Sequence, residues 1–428
     1  MLGSEFGEIM TGKERVQRAL NHQEGQVPIA FGGGPTTGIH CRLVERLRNY
    51  YGLEQHPITV IEPYQMLGLI DDDLKDAIGI DTVPLWSPGT MFGFDNVNWK
   101  EWRTPWGQDV LVAGDFNTTI DANGDVLIYP EGDLSVPPSG RMPVGGDFFD
   151  SIIRQEPIDD NHLNVEDNLE EFGQIKEKTL QYLQTQATKL KDSTRFVFGN
   201  FGGTAIGDIA LVPASSLKHP KGIRDITEWY MSTVSRQDYL HQIFTRQTDI
   251  ALENLAKIYT VVGDVAGLAY VCGTDFGTQI STFCSPRTFK TLYQPYYQKV
   301  NNWIHQHTSW KTFKHSCGAV EKFMPLFIES GFDIINPVQC SATGMDPKIL
   351  KERYGQQLVF WGGGVDTQHT LPFGSPEDVR AEVLSRCEVF APNGGFVFNA
   401  IHNVLPNTPV ENFIAMINAV NEFNGTRA

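Results

Sequence analysis

A histidine and a cysteine two residues apart lie in the C-terminal half of the chain, where they could hold a metal ion. The sequence KTFKHSCGAV, residues 311–320, contains the pair at His315 and Cys317. An imidazole nitrogen and a thiolate sulfur are soft ligands that suit Zn²⁺. Two ligands do not complete a site, and a buried cysteine is often only a small apolar side chain. A third ligand therefore has to come from elsewhere in the chain.

The residues around this pair predict a short strand that stops at Gly318. Side chains alternate between the two faces of a strand, so Phe313, His315 and Cys317 share one face. In parallel α/β proteins, ligands bind at the carboxyl ends of the strands. The pair is therefore expected at that end of an α/β fold.

Apolar runs and amphipathic segments alternate through most of the chain, which predicts parallel βα units. About eight such units fit, so we expect a (β/α)8 TIM-like barrel, with a doubly wound open sheet as the alternative. The predicted strands cover 27–34, 195–201, 267–277, 311–317, 332–339, 358–366 and 394–404. The predicted helices cover 11–22, 40–52, 66–78, 164–190, 204–218, 224–260, 286–308, 319–331, 346–354, 375–391 and 409–423.

Residues 85–150 interrupt this alternation and are rich in proline, glycine and aromatic residues. The Asn-Gly step at residues 123–124 lies between alternating apolar runs, which predicts a β-hairpin. We expect a β-rich insert that lies over the site. Its aromatic residues either line an apolar pocket or form the insert's own small core, and for most of them we expect the core; they are Trp86, Phe92, Trp99, Trp102 and Trp106.

The composition is that of a globular chain with an acidic charge balance. Of its 428 residues, 41% are hydrophobic and 20% are charged, and the formal net charge is −17. Such a balance disfavours nucleic acid and anionic membranes as partners. The sequence also has no apolar run of about 18 residues, the length that a membrane-spanning helix needs. The six cysteines follow no disulfide-scaffold spacing and no signal peptide is visible, so a cytoplasmic location is expected.

The start of the chain differs from the remainder. Gly-Ser-Glu-Phe, residues 3–6, is what two adjacent cloning sites encode, so residues 1–9 are interpreted as a cloning remnant. We expect the native chain to begin at Met10 and residues 10–428 to form one domain with an N-terminal extension. Thr11 and Glu14 have the spacing of a capping box at the start of the helix predicted over 11–22.

Polar residues follow several predicted strands at the point where each strand ends. They are Asp275, Gln339, Asp366 and His402, and in a barrel these strand ends meet at one mouth. The third metal ligand is expected to be His402, with Cys340 as the alternative, and an open fourth position would receive substrate. A metal-free acid/base site built on Asp275 and His402 is the competing interpretation.

Several motifs resemble the uroporphyrinogen decarboxylase superfamily, and more closely its branch grouped with corrinoid-dependent methyltransferases. They are GTDFGTQ (273–279), SPRTFKTLYQPYYQKV (285–300), FKHSCGAV (313–320), SGFDIINPVQCSATGMDP (330–347), FWGGGVDTQ (360–368) and GGFVFNAIHN (394–403), with RVQRALNHQ, VPIAFGGGPTTGIH and TPWGQ in the N-terminal half. The resemblance implies a TIM-like barrel. In zinc-dependent members it implies that His-x-Cys and a distant cysteine bind Zn²⁺ while methyl moves between a small molecule and a corrinoid protein.

The chain departs from the family pattern in two places. Thiol-alkylating members place the third cysteine near the last strand, where this chain has Ile401-His402-Asn403, so the metal set is expected to be His315, Cys317 and His402. The decarboxylase clamps substrate carboxylates with paired arginines, and the corresponding segment PIAFGGGPTTGIH has none. A polycarboxylate tetrapyrrole fits poorly in such an acidic protein, although Arg141 and Arg287 could compensate.

The sequence thus predicts a zinc-dependent methyltransferase that moves methyl between an ether, amine, thioether or thiol and a corrinoid carried by a partner protein. Asp275 and Gln339 are the predicted catalytic residues, and Trp361 and Asp366 are assigned to cofactor binding. A metal-free decarboxylase and a non-catalytic tetrapyrrole- or corrinoid-binding protein are the alternatives. A homodimer is expected from the general frequency of two-fold assemblies. The direction of methyl transfer is left open.

Overall fold

The computed structural model describes residues 10–202, 204 and 206–426, so the predicted cloning remnant lies outside the described residues. The strands of the described residues form three sheets. They are β1 (Ile58–Glu62), β2 (Leu67–Gly68), β3 (Thr82–Trp86), β4 (Lys100–Arg103), β5 (Asp109–Val112), β6 (Thr118–Ile120), β7 (Val126–Ile128), β8 (Gly140–Met142), β9 (Asp150–Ser151), β10 (Phe196–Asn200), β11 (Leu268–Cys272), β12 (Lys311–His315), β13 (Ile334–Asn336), β14 (Val359–Trp361) and β15 (Phe396–Val397).

Helices connect the strands of the largest sheet. Those helices and the ones before them are α1 (Gly12–Leu20), α2 (Cys41–Tyr50), α3 (Asp72–Ile78), α4 (Glu177–Leu190), α5 (Ile226–Ser235), α6 (Gln237–Val262), α7 (Pro286–Thr288), α8 (Gln294–His307), α9 (Met324–Glu329), α10 (Pro347–Tyr354), α11 (Thr370–Phe373), α12 (Pro376–Phe390) and α13 (Val410–Phe423). The predicted capping box is present, because Thr11 and Glu14 exchange hydrogen bonds between side chain and backbone. Within the described ranges, no helix has the length and apolar character needed to cross a membrane.

Seven parallel strands form the central sheet in the order β15-β14-β13-β12-β11-β10-β3, and a short extended segment closes it into a barrel. Ile29 forms a parallel bridge with Phe398 beyond β15. On its other side, the Ile29 carbonyl accepts a hydrogen bond from the Asp81 amide at 2.8 Å, next to β3. Residues 28–31 therefore occupy the eighth strand position, and the predicted TIM-like barrel is confirmed.

The interior of the barrel is filled by apolar side chains, which we call the lower layer. Phe198, Phe313 and Trp361 pack edge to face, with ring centroids 5.0 Å apart for the two phenylalanines and 5.6 Å apart for Phe313 and Trp361. This packed layer leaves only the mouth, at the carboxyl ends of the strands, open for chemistry. The other members of the lower layer are Val16, Ala19, Leu20, Ala30, Phe196, Leu268, Ile334, Val359 and Val397.

The β-rich insert contributes to two small sheets: its strands β4 and β5 extend a sheet begun by β1 and β2, which precede the insert, in the order β2-β1-β5-β4, and a second sheet has the order β6-β7-β8-β9. The predicted hairpin is present, because β6 and β7 pair antiparallel around residues 121–125. Most of the insert's aromatic residues form a core, as expected: Phe92 packs against Phe149 with centroids 5.9 Å apart, and Trp102 packs against Phe116 at 5.0 Å. Trp99 is an exception, being 40% exposed.

Three helix predictions upstream of the site differ from the structure. The helix predicted over 66–78 begins only at Asp72, after the strand β2 (Leu67–Gly68). The described residues of 204–218 form turns and bends, although a helix was predicted there. Gly207 and Ala214 both have positive φ, and Pro213 lies between them, which is incompatible with a continuous helix. The helix predicted over 164–190 begins only at Glu177, after a 3₁₀ turn at Val165–Asn168.

Candidate metal centre

Three side chains with metal-ligating atoms meet directly above the lower layer. One ligand atom from each of His315, Cys317 and His402 lies within 4.8 Å of the other two. Cys317 Sγ is 3.4 Å from His315 Nε2, and the two imidazole centroids are 5.4 Å apart. Two imidazole nitrogens and one sulfur are a donor set that zinc accepts, with a fourth position left for another ligand.

The end of β12 places the first two of these residues. His315 is the last residue of the strand and lies on its inner face, two residues beyond Phe313. The chain then turns at Gly318, whose φ of +86° is a conformation that favours glycine. This turn leaves the Cys317 sulfur beside the His315 ring instead of continuing along the strand.

A neighbouring asparagine fixes the orientation of the His315 ring. Asn336 Oδ1, at the end of β13, lies 2.7 Å from His315 Nδ1, and its amide nitrogen donates to the Trp361 carbonyl at 2.8 Å. Thr36 Oγ1 donates to the same Oδ1 at 3.0 Å. Because Oδ1 is an acceptor, Nδ1 must carry the proton, and the lone pair of Nε2 is directed toward Cys317. Metal-bound histidines are held by outer hydrogen bonds of this kind.

Burial sets the protonation of the three ligand groups. It lowers the pKa of His315 to about 4 and that of His402 to about 4, and the neighbouring His315 ring adds to the effect on His402. Burial, followed by the carboxylate of Asp275, raises the pKa of the Cys317 thiol well above its usual range. Both imidazoles are therefore neutral and able to bind a cation at neutral pH. Metal binding would release the thiol proton.

Asp275 lies against the same group. Its Oδ1 accepts a hydrogen bond from the Cys317 backbone N–H at 2.6 Å and is 3.9 Å from His315 Nε2. Burial raises its pKa, an effect opposed by that hydrogen bond and by the charge of Lys314. Asp275 is thus a carboxyl group placed where it can exchange a proton beside the three ligands.

Lys314 is a residue that the sequence analysis missed. It faces away from the barrel interior, is fully buried, and donates to the Thr274 carbonyl at 2.6 Å and to the His315 carbonyl. Its Nζ lies 5.1 Å from the centroid of the Phe276 ring, which is a cation–π distance. Its place in the middle of a parallel strand, which is covered on both faces, was the signal that could have identified it, since buried lysines are rare without a specific role.

Gln339 and Cys340 lie in the loop after β13. Gln339 Oε1 accepts a hydrogen bond from the Gly318 N–H at 2.8 Å, and its Nε2 donates to Gln279 Oε1 at 2.9 Å, so it joins two loops of the mouth. The thiol of Cys340 donates to the Val338 carbonyl, and Cys340 contributes no atom to the three-ligand group. The structure thus brings His402, and not Cys340, to the His-x-Cys pair.

Trp361 and Asp366 lie apart from this group. Trp361 is fully buried in the lower layer. The Asp366 carboxylate accepts the backbone N–H groups of Gln368 and His369, at 2.6 and 2.9 Å, just before α11. Their assignment to cofactor binding stays a prediction.

The loop that follows the eighth strand position also reaches the mouth. Thr36 comes from this loop, and Asn403 fixes the loop by accepting from the Gly38 N–H at 2.5 Å and donating to the Pro35 carbonyl at 2.9 Å. Asn403 adjoins His402, so the last strand's loop and the first strand's loop are fixed to each other. Neither Thr36 nor Asn403 could be given a role from the sequence, because their partners are 300 or more residues away.

Comparison with known proteins identifies related chains. Residues 161–423, more than half of the chain, match the family model Uroporphyrinogen decarboxylase (URO-D). A uroporphyrinogen decarboxylase from Pseudoalteromonas translucida (strain TAC 125) is 33% identical over 106 residues, which cover 23% of this chain and only 29% of that protein. A solved methyltransferase from Methanosarcina mazei has the same fold, with a TM-score of 0.55 and 15% identity over 97% of this chain and 99% of that one.

Proposed function

This chain belongs to the uroporphyrinogen decarboxylase family, and we propose that it is a zinc-dependent methyltransferase of a corrinoid system. Methyl would move between a small ether, amine, thioether or thiol and a corrinoid carried by a partner protein. The observation that carries the proposal is the group formed by His315, Cys317 and His402, whose ligand atoms lie within 4.8 Å of one another. A metal-free acid/base site has no need of a thiol between two neutral imidazoles.

The donor set fits zinc in both chemistry and protonation. His315 presents an unprotonated Nε2 because Asn336 holds its other nitrogen, and His402 is neutral because burial lowers its pKa to about 4. Zinc held there would polarise a bound heteroatom or lower the pKa of a bound thiol. We propose that His315, Cys317 and His402 are its protein ligands.

The remaining side chains of the mouth would handle protons and position the loops. Asp275, beside Cys317 and with a raised pKa, would accept a proton from the substrate and return it. Gln339 would keep the Gly318 turn in place, since both ends of its amide are engaged by Gly318 and Gln279. A direct hydrogen bond from Gln339 to substrate would require it to leave Gln279.

The packing of the barrel supports a partner that approaches the mouth. The lower layer fills the interior, with Phe198, Phe313 and Trp361 buried to within 1% exposure. A reactive group carried by another protein therefore reaches His315, Cys317 and His402 only from the carboxyl ends of the strands. We expect the corrinoid partner to dock there.

A second candidate function is decarboxylation of a carboxylated substrate without metal. It is favoured by the relative from Pseudoalteromonas translucida, whose name is uroporphyrinogen decarboxylase. The charge of the mouth opposes it, because residues 28–40 contain no arginine and Arg141 is paired with Asp125 on the insert at 3.5 Å. Asp275 and His402 would be the acid/base groups of this alternative.

The test separates the two functions in one set of assays. Zinc-loaded protein is mixed with methylcobalamin and a panel of thiols, or with cob(I)alamin and a panel of methyl ethers and methylamines, and the cobalamin spectrum is followed. We expect demethylation or methylation of cobalamin, lost in Cys317→Ser. CO₂ release from uroporphyrinogen by metal-free protein, with no change in the cobalamin spectrum in either direction, would contradict the proposal.

A further inference from the structure

We propose that Asn200 and Tyr270 form a two-donor subsite beside the metal centre that binds an uncharged oxygen atom of the substrate. An alcohol, an ether or an amide carbonyl has the required chemistry. The inference rests on the proposed function for the identity of the neighbouring centre, and it adds the class of molecule that the mouth selects. It is carried by the position, the free donors and the electrostatic surroundings of these two side chains.

The two residues are neighbours on adjacent strands. β10 and β11 pair in parallel with Phe198 opposite Leu268 and Gly199 opposite Ala269, which places Asn200 opposite Tyr270. Alternation from Phe198 puts the Asn200 side chain on the inner face of the barrel. The Tyr270 ring is on that face too, because it stacks on Phe313 with centroids 5.6 Å apart and a 27° angle.

The Tyr270 hydroxyl reaches upward, past the end of its own strand. A Cβ placed on Gly273 would lie 2.6 Å from the Tyr270 oxygen and 2.8 Å from the Asp208 carboxylate. Gly273 lies two residues before Asp275, which contacts Cys317. The phenol therefore extends from the lower layer to the level of the loop that borders the metal centre.

Both side chains have unused hydrogen-bonding groups. Within the described residues, neither the Asn200 amide nor the Tyr270 hydroxyl has a hydrogen-bond partner, and both residues are half-buried. Two other inward-facing donors of the mouth are engaged in holding the fold: the Trp86 indole N–H donates to the Gly33 carbonyl at 2.7 Å, and the Asn399 amide nitrogen donates to the Ala30 carbonyl at 2.5 Å, although Asn399 Oδ1 has no partner among the described residues. The Asn200 amide and the Tyr270 hydroxyl are therefore available to donate to a ligand at the mouth.

The surroundings of the pair favour an uncharged acceptor over an anion. Burial, followed by the nearby carboxyl group of Asp208, raises the pKa of the Tyr270 phenol well above its usual range, so Tyr270 stays a neutral donor. The Asp208 carboxyl group and the Tyr270 hydroxyl approach the same point beside Gly273, so a substrate carboxylate brought there would meet a second carboxyl group, whereas an uncharged oxygen would not be repelled. Lys314, the cation whose charge acts on Asp208 and Asp275, is buried on the outer face of β12 and is engaged by backbone carbonyls.

The experiment uses benzamide and benzoate, two probes of the same shape that differ in charge. Dissociation constants are measured by ligand-observed NMR on the wild-type protein and on Tyr270→Phe and Asn200→Asp. We expect benzamide to bind the wild type more tightly than benzoate, and each substitution to weaken benzamide binding about 5-fold, as the loss of one neutral hydrogen bond does. Tyr50→Phe is the matched control, because Tyr50 is 55% exposed, and it should leave both constants unchanged.

Three results would overturn the subsite: no benzamide binding to the wild type, benzamide affinity unaffected by both substitutions, or tighter binding of benzoate. Zinc content is measured on the same samples, so that failure of the subsite and failure of the metal centre are distinguished. Zinc present without the benzamide effect refutes the subsite alone. The benzamide effect present without any zinc binding refutes the metal centre alone.

Discussion

The inside of the barrel has two layers that share the same strands and differ in almost every other property. β12 contributes Phe313 to the lower layer and His315 to the layer above it, and β13 contributes Ile334 below and Asn336 above. The lower side chains are apolar and fully buried, whereas the upper ones are polar and hydrogen-bonded to one another. Side chains on one face of a strand are two residues apart, so each functional side chain lies next to a side chain of the rigid lower layer. The packed neighbour holds it in position.

The largest expected effect concerns the lower layer. Trp361→Ala should lower the free energy of unfolding by about 3–5 kcal/mol, the usual cost of truncating a buried aromatic residue. The indole N–H has no hydrogen-bond partner among the described residues, so the substitution removes packing only. Urea denaturation measures the change. Phe373→Ala, at a residue 75% exposed, should change stability by no more than about 0.5 kcal/mol; a loss below about 1 kcal/mol in Trp361→Ala would show that the lower layer is not a core.

The next effect concerns the hydrogen bond between Asn336 and His315 in the layer above the lower layer. Asn336→Leu should weaken zinc binding by about 10- to 100-fold, because His315 loses the acceptor that orients it. Asn336→Asp keeps an acceptor at the same place and should retain zinc. Competition with a chromophoric chelator gives both affinities. Equal affinities for the wild type and Asn336→Leu would mean that the tautomer of His315 is not set by Asn336.

A third effect concerns His40, a buried histidine away from the metal centre, and its contribution to the dependence of the free energy of unfolding on pH. Burial lowers the pKa of His40 from 6.5 to about 4, so the unfolded chain takes up this proton before the folded one does. The free energy of unfolding should therefore fall as pH falls from about 6.5 to about 4, by about 1–2 kcal/mol from this residue. His40→Asn keeps an acceptor for the Arg42 N–H and should flatten that slope.

The control for the pH experiment is His162→Asn, since the His162 side chain is 83% exposed. It should reproduce the wild-type dependence of stability on pH. An unchanged slope in His40→Asn would mean that other groups account for the acid sensitivity.

The smallest expected effect is at the cysteine that the structure leaves outside the ligand group. Cys340→Ser should change zinc affinity less than 2-fold, because Cys340 bonds only to the Val338 carbonyl. The same chelator competition measures it, with Cys317→Ser as the positive control. Loss of zinc from Cys340→Ser would restore Cys340 as the third ligand.

The parts of the site that could be predicted from sequence are those set within one strand. Alternation along 311–320 placed His315 and Cys317 on one face, and the apolar runs predicted the barrel and its mouth. Cys340 stayed open as the alternative to His402, because both follow strands whose ends reach the same mouth. Only the closed curvature of the barrel decides which of them approaches His315.

Most of the residues that the sequence did not reveal make contacts between segments that are far apart in the chain. Thr36 and Asn336 are hydrogen-bonded although 300 residues separate them, and neither has a local pattern that indicates such a contact. Lys314 was overlooked because alternation places it on the outer face of its strand, away from the mouth at which the predicted site residues meet. The helix predicted over 204–218 was wrong because apolar spacing was given more weight than its glycine and proline residues.

The most direct test of the central claim is the zinc content of the purified protein, measured by elemental analysis beside Cys317→Ala. The account predicts about one zinc per chain in the wild type and little or none in the variant. No zinc in the wild type, even after incubation with zinc, or equal zinc in both proteins, would contradict it. In that case His315, Cys317 and His402 would be ordinary strand-end residues, and the metal-free decarboxylase would become the better account.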